Sequence, residues 1–134
     1  MTKICVVGLG YVGLPIALVL SENGGNVLAV DNNKNKVDEL KAGKCFLDEE
    51  RLISLWEKQY KNITFSTQIE AADFFIIAVP TPLIKGSESC DYSYIEDAVN
   101  NIILILRPGN GIAITSTCPV GTTNKVAEMI STST

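Results

Sequence analysis

An α/β fold, a parallel sheet covered on both faces by helices, is what the sequence predicts, and two features predict it. Short β-rich runs alternate with helical patterns along the whole chain, the arrangement that builds β-α-β units. The strand-like runs are continuously apolar rather than alternating, as strands buried on both faces require. A length of 134 residues suits one domain, and no internal repeat or linker divides it.

Lys3 to Val7 is an apolar run that ends in glycine and reads as the first strand. Tyr11 to Glu22 follows as a helix with Val12, Ile16, Ala17 and Leu20 on one face. Pro15 falls in its first turns, where the missing N–H does little harm because those donors are unpaired anyway. Asn26 to Val30 is the second strand, closed by Asp31. Lys34 to Ala42 reads as a short helix stopped by Gly43. The next helix, Asp48 to Tyr60, carries Glu49 and Glu50 at its start and Lys58 and Lys61 at its end, matching the helix dipole. Leu52, Leu55, Trp56 and either Gln59 or Tyr60 give it a packing face.

Ile63 to Phe65 is a brief third strand, and Thr67 with Glu70 has the form of a capping box for another turn of helix. Phe74 to Val79 is a fourth strand; the segment from Thr81 to Asp91, rich in Pro, Gly and Ser, is a loop. Ser93 and Glu96 form a second capping box. It opens a helix whose Ile95, Ala98, Val99, Ile102, Ile103 and Leu106 follow a period of about 3.6 residues. Arg107-Pro108-Gly109 stops it, Gly111 to Thr115 is a fifth strand, and Thr122 to Ile130 begins another helix.

Composition excludes several classes of protein. With 46% hydrophobic and 19% charged residues the chain is neither disordered nor collagen-like. A net charge of −4 and the lack of any Lys/Arg run argue against a nucleic-acid partner. Histidine is absent, which removes imidazole bases, Ser-His-Asp triads and His-based metal sites, so no metal is expected. Cys5, Cys45, Cys90 and Cys118 are scattered with no Cys-x-x-Cys, and read as reduced thiols. Lys3 to Leu20 superficially resembles a signal peptide, but Gly8, Gly10, Gly13 and Pro15 interrupt it and no A-x-A site follows. The other apolar runs, Phe74 to Pro80 and Ile102 to Leu106, are too short to span a bilayer. A cytoplasmic protein with no membrane partner is expected.

The sharpest motif is Gly8-Leu9-Gly10-Tyr11-Val12-Gly13, set between a buried strand and a helix. In a G-x-G-x-x-G turn the first glycine permits a tight bend, the second lets backbone approach a pyrophosphate, and the third lets helix and strand pack closely. The helix start offers unpaired N–H groups and a positive dipole end to the phosphates. Asp31 stands at the end of the second strand, about 20 residues beyond the motif, where an acid accepts from adenine ribose hydroxyls. Together these predict a Rossmann-like doubly wound sheet that binds NAD. A carboxylate at this position disfavours the 2′-phosphate of NADP, although Lys34 or Lys36 has the reach to meet a phosphate. The plainer alternative is a glycine-rich turn that binds nothing, with Asp31 capping the next helix. The joint placement of strand, helix and acid favours the cofactor.

Ligands of such sheets lie beyond the carboxyl ends of the strands. Two other strands end in unusual sequences there, Pro80-Thr81-Pro82 and Ser116-Thr117-Cys118-Pro119-Val120-Gly121. Both bring hydroxyls and rigid turns to the edge where a nicotinamide would lie. Ordinary strand-to-helix turns with capping hydroxyls have the same form, and spacing alone does not separate the two readings.

These motifs also carry a resemblance. Gly8 to Pro15, then Val79-Pro80-Thr81-Pro82-Leu83, then Ser116-Thr117-x-Pro119-x-Gly121-Thr122, in this order, resemble the UDP-glucose/GDP-mannose dehydrogenase family. Within it the Pro-Val-Gly-Thr stretch and Asp91-x-Ser93-Tyr94 are most similar to the UDP-N-acetylmannosamine dehydrogenase type. The resemblance implies oxidation of a nucleotide sugar's primary alcohol to a carboxylate in two NAD-dependent steps. It implies that Gly8, Gly10, Tyr11, Val12 and Gly13 surround the pyrophosphate and that Asp31 and Lys36 meet the adenosine ribose. Thr81 and Ser116 would approach the nicotinamide side, and Thr117 would stand near the reacting centre. Glu49 matches a family acid more loosely and is left out of the site.

The sequence departs from the family at Thr115, where Glu is frequent, and at Cys90, where Pro is common. The family's nucleophilic cysteine, catalytic lysine and sugar-binding groups lie in later domains, so Cys118 reads as a variable loop residue without an activating partner. Residues 1–134 are therefore expected to be the N-terminal NAD-binding part of a longer enzyme, lacking the last strand of that domain and inactive alone. The complete enzyme would be a homo-oligomer acting on a nucleotide sugar. The competing readings are a non-catalytic NAD-binding regulatory module and another Rossmann dehydrogenase, such as one acting on hydroxy acids. The Pro-Thr-Pro and Ser-Thr-x-Pro strand ends argue against the module, since a sensor needs only the phosphate loop and the acid.

Overall fold

Along the chain run β1 (Lys3–Val7), α1 (Gly13–Glu22), β2 (Asn26–Val30), α2 (Lys34–Lys41), α3 (Glu50–Gln59), β3 (Thr64–Ser66), β4 (Phe74–Ile77), α4 (Ser93–Ile103), β5 (Gly111–Ile114) and α5 (Thr122–Ser133). This is a computed structural model, and it describes residues 2–80, 86, 91, 93–115 and 122–133. The five strands form one parallel sheet in the order β3-β2-β1-β4-β5. The direction of winding reverses between β1 and β4, which creates a crevice at the carboxyl edge.

The continuous apolar runs are divided between two cores by the period-two alternation of a strand. Val6, Val27 and Ala29 face a cluster with Leu14, Leu18, Val37 and Trp56 from the first three helices. Cys5, Val7, Leu28, Val30, Phe75 and Ile77 face the other side, against Ile95, Val99 and Ile102 of α4 and Val126 of α5. Burial there pushes the Cys5 thiol up to about 12, so it stays protonated as a small packing residue. On the first face Trp56 stacks on Tyr60 with ring centroids 5.1 Å apart. The Ser21 hydroxyl of α1, the buried polar side chain among the described residues, donates to Gln59 Oε1 of α3 at 2.9 Å and is thereby satisfied.

The strands, their order of appearance and the helices between them follow the sequence expectation, with boundary shifts that have physical causes. The first helix starts at Gly13 rather than Tyr11, because Tyr11 and Val12 remain in the turn. Its buried side chains are Leu14, Ala17, Leu18 and Ser21; of the expected face Ala17 is buried, Ile16 and Leu20 pack partly buried against the first core, and Val12 is exposed. In a helix apolar nearly all round, periodicity does not choose the face, and packing against β2 and α3 does. The Thr67–Glu70 capping box forms no helix. A single turn fixes three residues for one hydrogen bond, and here the Ser66 hydroxyl accepts from Gln68 N–H while Ile69 and Ala72 join the second core.

Helix α4 opens at Ser93, as the sequence predicts, and the Asp91 carboxylate accepts the Ser93 N–H at 2.9 Å. Hydrogen bonds from the Ser93 hydroxyl and N–H hold Asp91 below the ordinary carboxylate range. The fourth strand closes at Ile77, two residues short of Val79, as the chain turns into the crevice. Most of the expected loop from Thr81 to Asp91 lies outside the described residues, as do Cys90 and Cys118. Among the described residues no helix is long and apolar enough to cross a membrane.

Candidate functional site

Register brings the site together. Val7 pairs with both Val30 and Ile77, so β1, β2 and β4 end level with one another. Each ladder then runs one step further: Gly8 N–H donates to Val30 O at 2.8 Å and Ala78 N–H to Val7 O at 2.8 Å. Asp31 N–H reaches Ser66 O at 3.2 Å and Thr115 N–H reaches Ile77 O at 2.9 Å. Gly8, Asp31, Ala78 and Thr115 therefore share one edge, and a cleft of about 860 Å³ opens over them. That volume falls in the range of about 300–1,000 Å³ usual for small-molecule and cofactor pockets.

The three glycines of the turn do different work. Gly8 has φ +100°, and a Cβ there would stand 2.6 Å from the Ala78 carbonyl oxygen. At Gly13 a Cβ would overlap the Gly8 carbonyl oxygen, so this glycine closes the helix onto the turn from behind. Gly10 is the opposite case: nothing lies within 4 Å of its Cβ position, and it lines the cleft. The protein leaves open the space in front of Gly10 alone among the three. No side chain caps the start of α1. Leu14 N–H is taken by Gly10 O at 3.2 Å and Pro15 has no N–H, so what the helix start offers an anion in the cleft is chiefly its positive dipole end.

Asp31 occupies the far end of the turn. Its Oδ2 accepts Leu9 N–H at 2.9 Å and its Oδ1 accepts Asn33 N–H at 2.9 Å. The carboxylate thus ties the glycine turn to the start of α2 while keeping lone pairs for further donors, since two oxygens offer about four acceptor sites. Helix α2 is capped instead by Asn33, whose side chain accepts Lys36 N–H at 3.1 Å. Asp31 is therefore not the cap of α2, the role that the plainer alternative gave it. Lys36 Nζ lies 4.0 Å from Asp31 Oδ2; Lys36, not Lys34, lines the cleft.

Of the residues expected from sequence, Gly8, Gly10, Tyr11, Val12, Asp31 and Lys36 line one cleft, and Gly13 supports it from below. Thr81, Ser116 and Thr117 lie outside the described residues. Their neighbours Pro80 and Thr115 line the cleft. Glu49 sits at the start of α3 and is not part of the lining.

Sequence reasoning missed the wall formed by α4. Tyr94, Asp97 and Asn101 face the cleft, with Leu104, 82% exposed, at its rim. Their helical spacing, one step around from the Ile95–Val99–Ile102 stripe, was the available signal. Phe46 was missed as well. Its ring meets Tyr11 edge-on with centroids 5.1 Å apart, and Lys36 Nζ lies 5.5 Å above it. No sequence pattern announces that contact.

A parallel sheet with a glycine turn at its winding reversal and a carboxylate closing the second strand defines a Rossmann-like doubly wound domain. The comparison with known proteins narrows that class. The model of the UDP-glucose/GDP-mannose dehydrogenase family, NAD binding domain, matches residues 2–134, and the chain belongs to that family. It is 45% identical over 133 residues to a UDP-N-acetyl-D-mannosamine dehydrogenase of Methanococcus vannielii, covering 96% of this chain and 31% of that protein.

Among solved structures, the UDP-N-acetyl-mannosamine dehydrogenase of Staphylococcus aureus superposes with a TM-score of 0.90 at 37% identity, over 98% of this chain and 33% of that one. A GDP-mannose dehydrogenase from Pseudomonas aeruginosa gives 0.86 at 29% identity, over 97% of this chain and 32% of that one. The chain thus spans about a third of the length of these relatives.

Proposed function

We propose that the cleft binds NAD⁺ and that the chain is the cofactor-binding part of a longer nucleotide-sugar dehydrogenase. The observation that carries this is the open space in front of Gly10, flanked by an uncapped helix start on one side and the Asp31 carboxylate on the other. A pyrophosphate fits the first feature and ribose hydroxyls fit the second. The family description, an NAD binding domain, supports the same cofactor.

In this reading Gly8, Gly10, Tyr11 and Val12 hold the pyrophosphate, and Asp31 with Lys36 holds the adenosine ribose. The apolar lining from Ile69, Val79, Pro80, Ala98 and Ile105 suits the flat faces of the two rings. Bound NAD⁺ supplies the hydride acceptor. The residues of this chain bind and orient it, and they keep its pyrophosphate end on the glycine turn. Thr81 and Ser116 on the nicotinamide side, and Thr117 near the reacting centre, enter on the family motif alone. The nucleophile and the sugar-binding groups belong to other parts of the polypeptide.

The activity we assign to that complete polypeptide is oxidation of a UDP-sugar primary alcohol to the carboxylate in two NAD-dependent steps, with UDP-N-acetylmannosamine as the favoured substrate. Support comes from relatives named for that substrate, from Methanococcus vannielii to Staphylococcus aureus. The test is NADH formation by the complete polypeptide carrying these residues, offered UDP-N-acetylmannosamine, UDP-glucose, GDP-mannose and simple hydroxy acids. The expected result is two NADH per UDP-N-acetylmannosamine, with the other nucleotide sugars slower. Turnover of a hydroxy acid with no nucleotide sugar accepted would overturn the assignment.

A further inference from the structure

We propose that Phe46 is a positioning residue for the ribose and pyrophosphate end of the cleft, acting through Lys36 and Tyr11; the inference rests on reading that cleft as the NAD site. Phe46 does not line the cleft itself. It lies in the segment between α2 and α3, yet it touches two residues that do. Lys36 Nζ sits over its ring face, 5.5 Å from the centroid, and Tyr11 meets it edge-on at 5.1 Å with the planes at 79°.

Each contact restrains a group that is otherwise free to wander. Lys36 has a flexible four-carbon stem, and its ion pair with Asp31, at 4.0 Å and partly in solvent, holds it only weakly. The ring face supplies a second attraction for the ammonium, so the charge is confined between Phe46 and Asp31, where ribose hydroxyls would arrive. Tyr11 lies in the glycine turn and is 72% exposed, and its ring is met by the Phe46 ring in an edge contact. One ring therefore sets a group at the ribose and a group at the pyrophosphate.

Phe46 can do this because its own segment is fastened down. Trp56 Nε1 donates to Gly43 O at 3.4 Å, Leu47 is buried, and Leu47 N–H is accepted by Cys45 Sγ at 3.4 Å. Trp56 in turn belongs to α3, which packs on α1 through the Ser21–Gln59 hydrogen bond. The ring is thus held from the first core and carries its rigidity to the turn.

The test is a double-mutant cycle read by calorimetric titration of the protein with NAD⁺. Phe46→Leu keeps apolar bulk against the core but has no ring, and should weaken NAD⁺ about three- to tenfold, the scale of one cation–π and one aromatic edge contact. Phe46→Tyr should restore wild-type affinity. In a Lys36→Met background, and again in Tyr11→Ala, the Phe46→Leu effect should shrink, since part of what it acts through is gone. A purely structural role would instead lower thermal stability and leave the affinity effects additive, and that result would overturn the inference. Should Phe46→Leu not fold, Phe46→Met, equally ringless, carries the same cycle. Wild-type binding with unchanged affinity in the ringless variant would overturn this inference alone; absence of NAD⁺ binding by the folded wild type would overturn the cofactor reading and this inference with it.

Discussion

Gly13→Ala should destabilise the protein by about 3 kcal/mol, the upper part of the usual range for overpacking, and should abolish NAD⁺ binding, whereas Gly10→Ala should abolish binding with stability almost untouched. The contrast follows from what each new methyl group would meet. At position 13 it would overlap the Gly8 carbonyl oxygen, a backbone atom that cannot swing aside as a side chain can. Relief requires α1 to lift from the turn, and the turn to open with it. At position 10 nothing lies within 4 Å, so the folded chain accommodates the methyl. A surface change of that kind shifts stability by less than about 0.5 kcal/mol. The methyl then fills space the cofactor needs, and each charge-assisted hydrogen bond lost to the phosphate is worth about 1.5–3 kcal/mol. Urea denaturation and NAD⁺ titration of the two variants separate the effects. A Gly10→Ala protein that binds normally would mean that the pyrophosphate does not approach here.

Asp31→Ala should weaken NAD⁺ by about 1.5–3 kcal/mol, the scale of hydrogen bonds to a charged acceptor. The same change should lower stability, because the Asp31 carboxylate also accepts Leu9 N–H at 2.9 Å and Asn33 N–H at 2.9 Å. A partly buried N–H left without an acceptor costs about 1–3 kcal/mol. The NADP⁺ preference should move the other way. Removing the carboxylate removes the repulsion of a 2′-phosphate and leaves Lys36 without its anion, so the ratio of NADP⁺ to NAD⁺ affinity rises. Asp31→Asn, which keeps one acceptor oxygen, should fall between the two proteins in stability. Titration of the variants with both cofactors checks this, and unchanged NAD⁺ affinity in Asp31→Ala would remove Asp31 from the site.

The parts of the fold legible in the sequence are those where one local signal suffices. Lys3–Val7, Asn26–Val30 and Phe74–Ile77 are apolar runs stopped by Gly8, Asp31 and the Pro80 segment, and a strand buried on both faces needs nothing else. The buried face of α1 was legible only in part: Ile16, Ala17 and Leu20 pack inward as expected, but Val12 and Val19 are as apolar as Leu14 and Leu18, and only the neighbours β2 and α3 decide between them. The capping box at Thr67 misled, since its segment forms no helix, whereas the one at Ser93 marked the start of α4. A side chain near a helix start can bond locally in several ways, and at α4 the Asp91 carboxylate takes the Ser93 N–H.

The candidate site divides along the same line. Gly8, Gly10, Gly13 and Asp31 announce themselves because a turn and a strand end constrain residue type at fixed spacing. Tyr94 and Asn101 carry only the weaker signal of helical spacing, and Phe46, which stands behind Tyr11 and Lys36 rather than in the lining, carries none, since its contacts come from packing between elements distant in sequence. The tie between Asp31 and Leu9 was equally hidden: a residue chosen for a ligand also holds its own turn together.

The account rests on one claim, that the cleft over Gly10 and Asp31 is an NAD site. Calorimetric titration of this chain with NAD⁺ and NADP⁺ in parallel, after circular dichroism has shown it folded, tests that claim most directly. The account predicts a single NAD⁺ site with clear preference over NADP⁺, lost in Gly10→Ala. A folded chain that binds neither cofactor, or binds both equally, would contradict it.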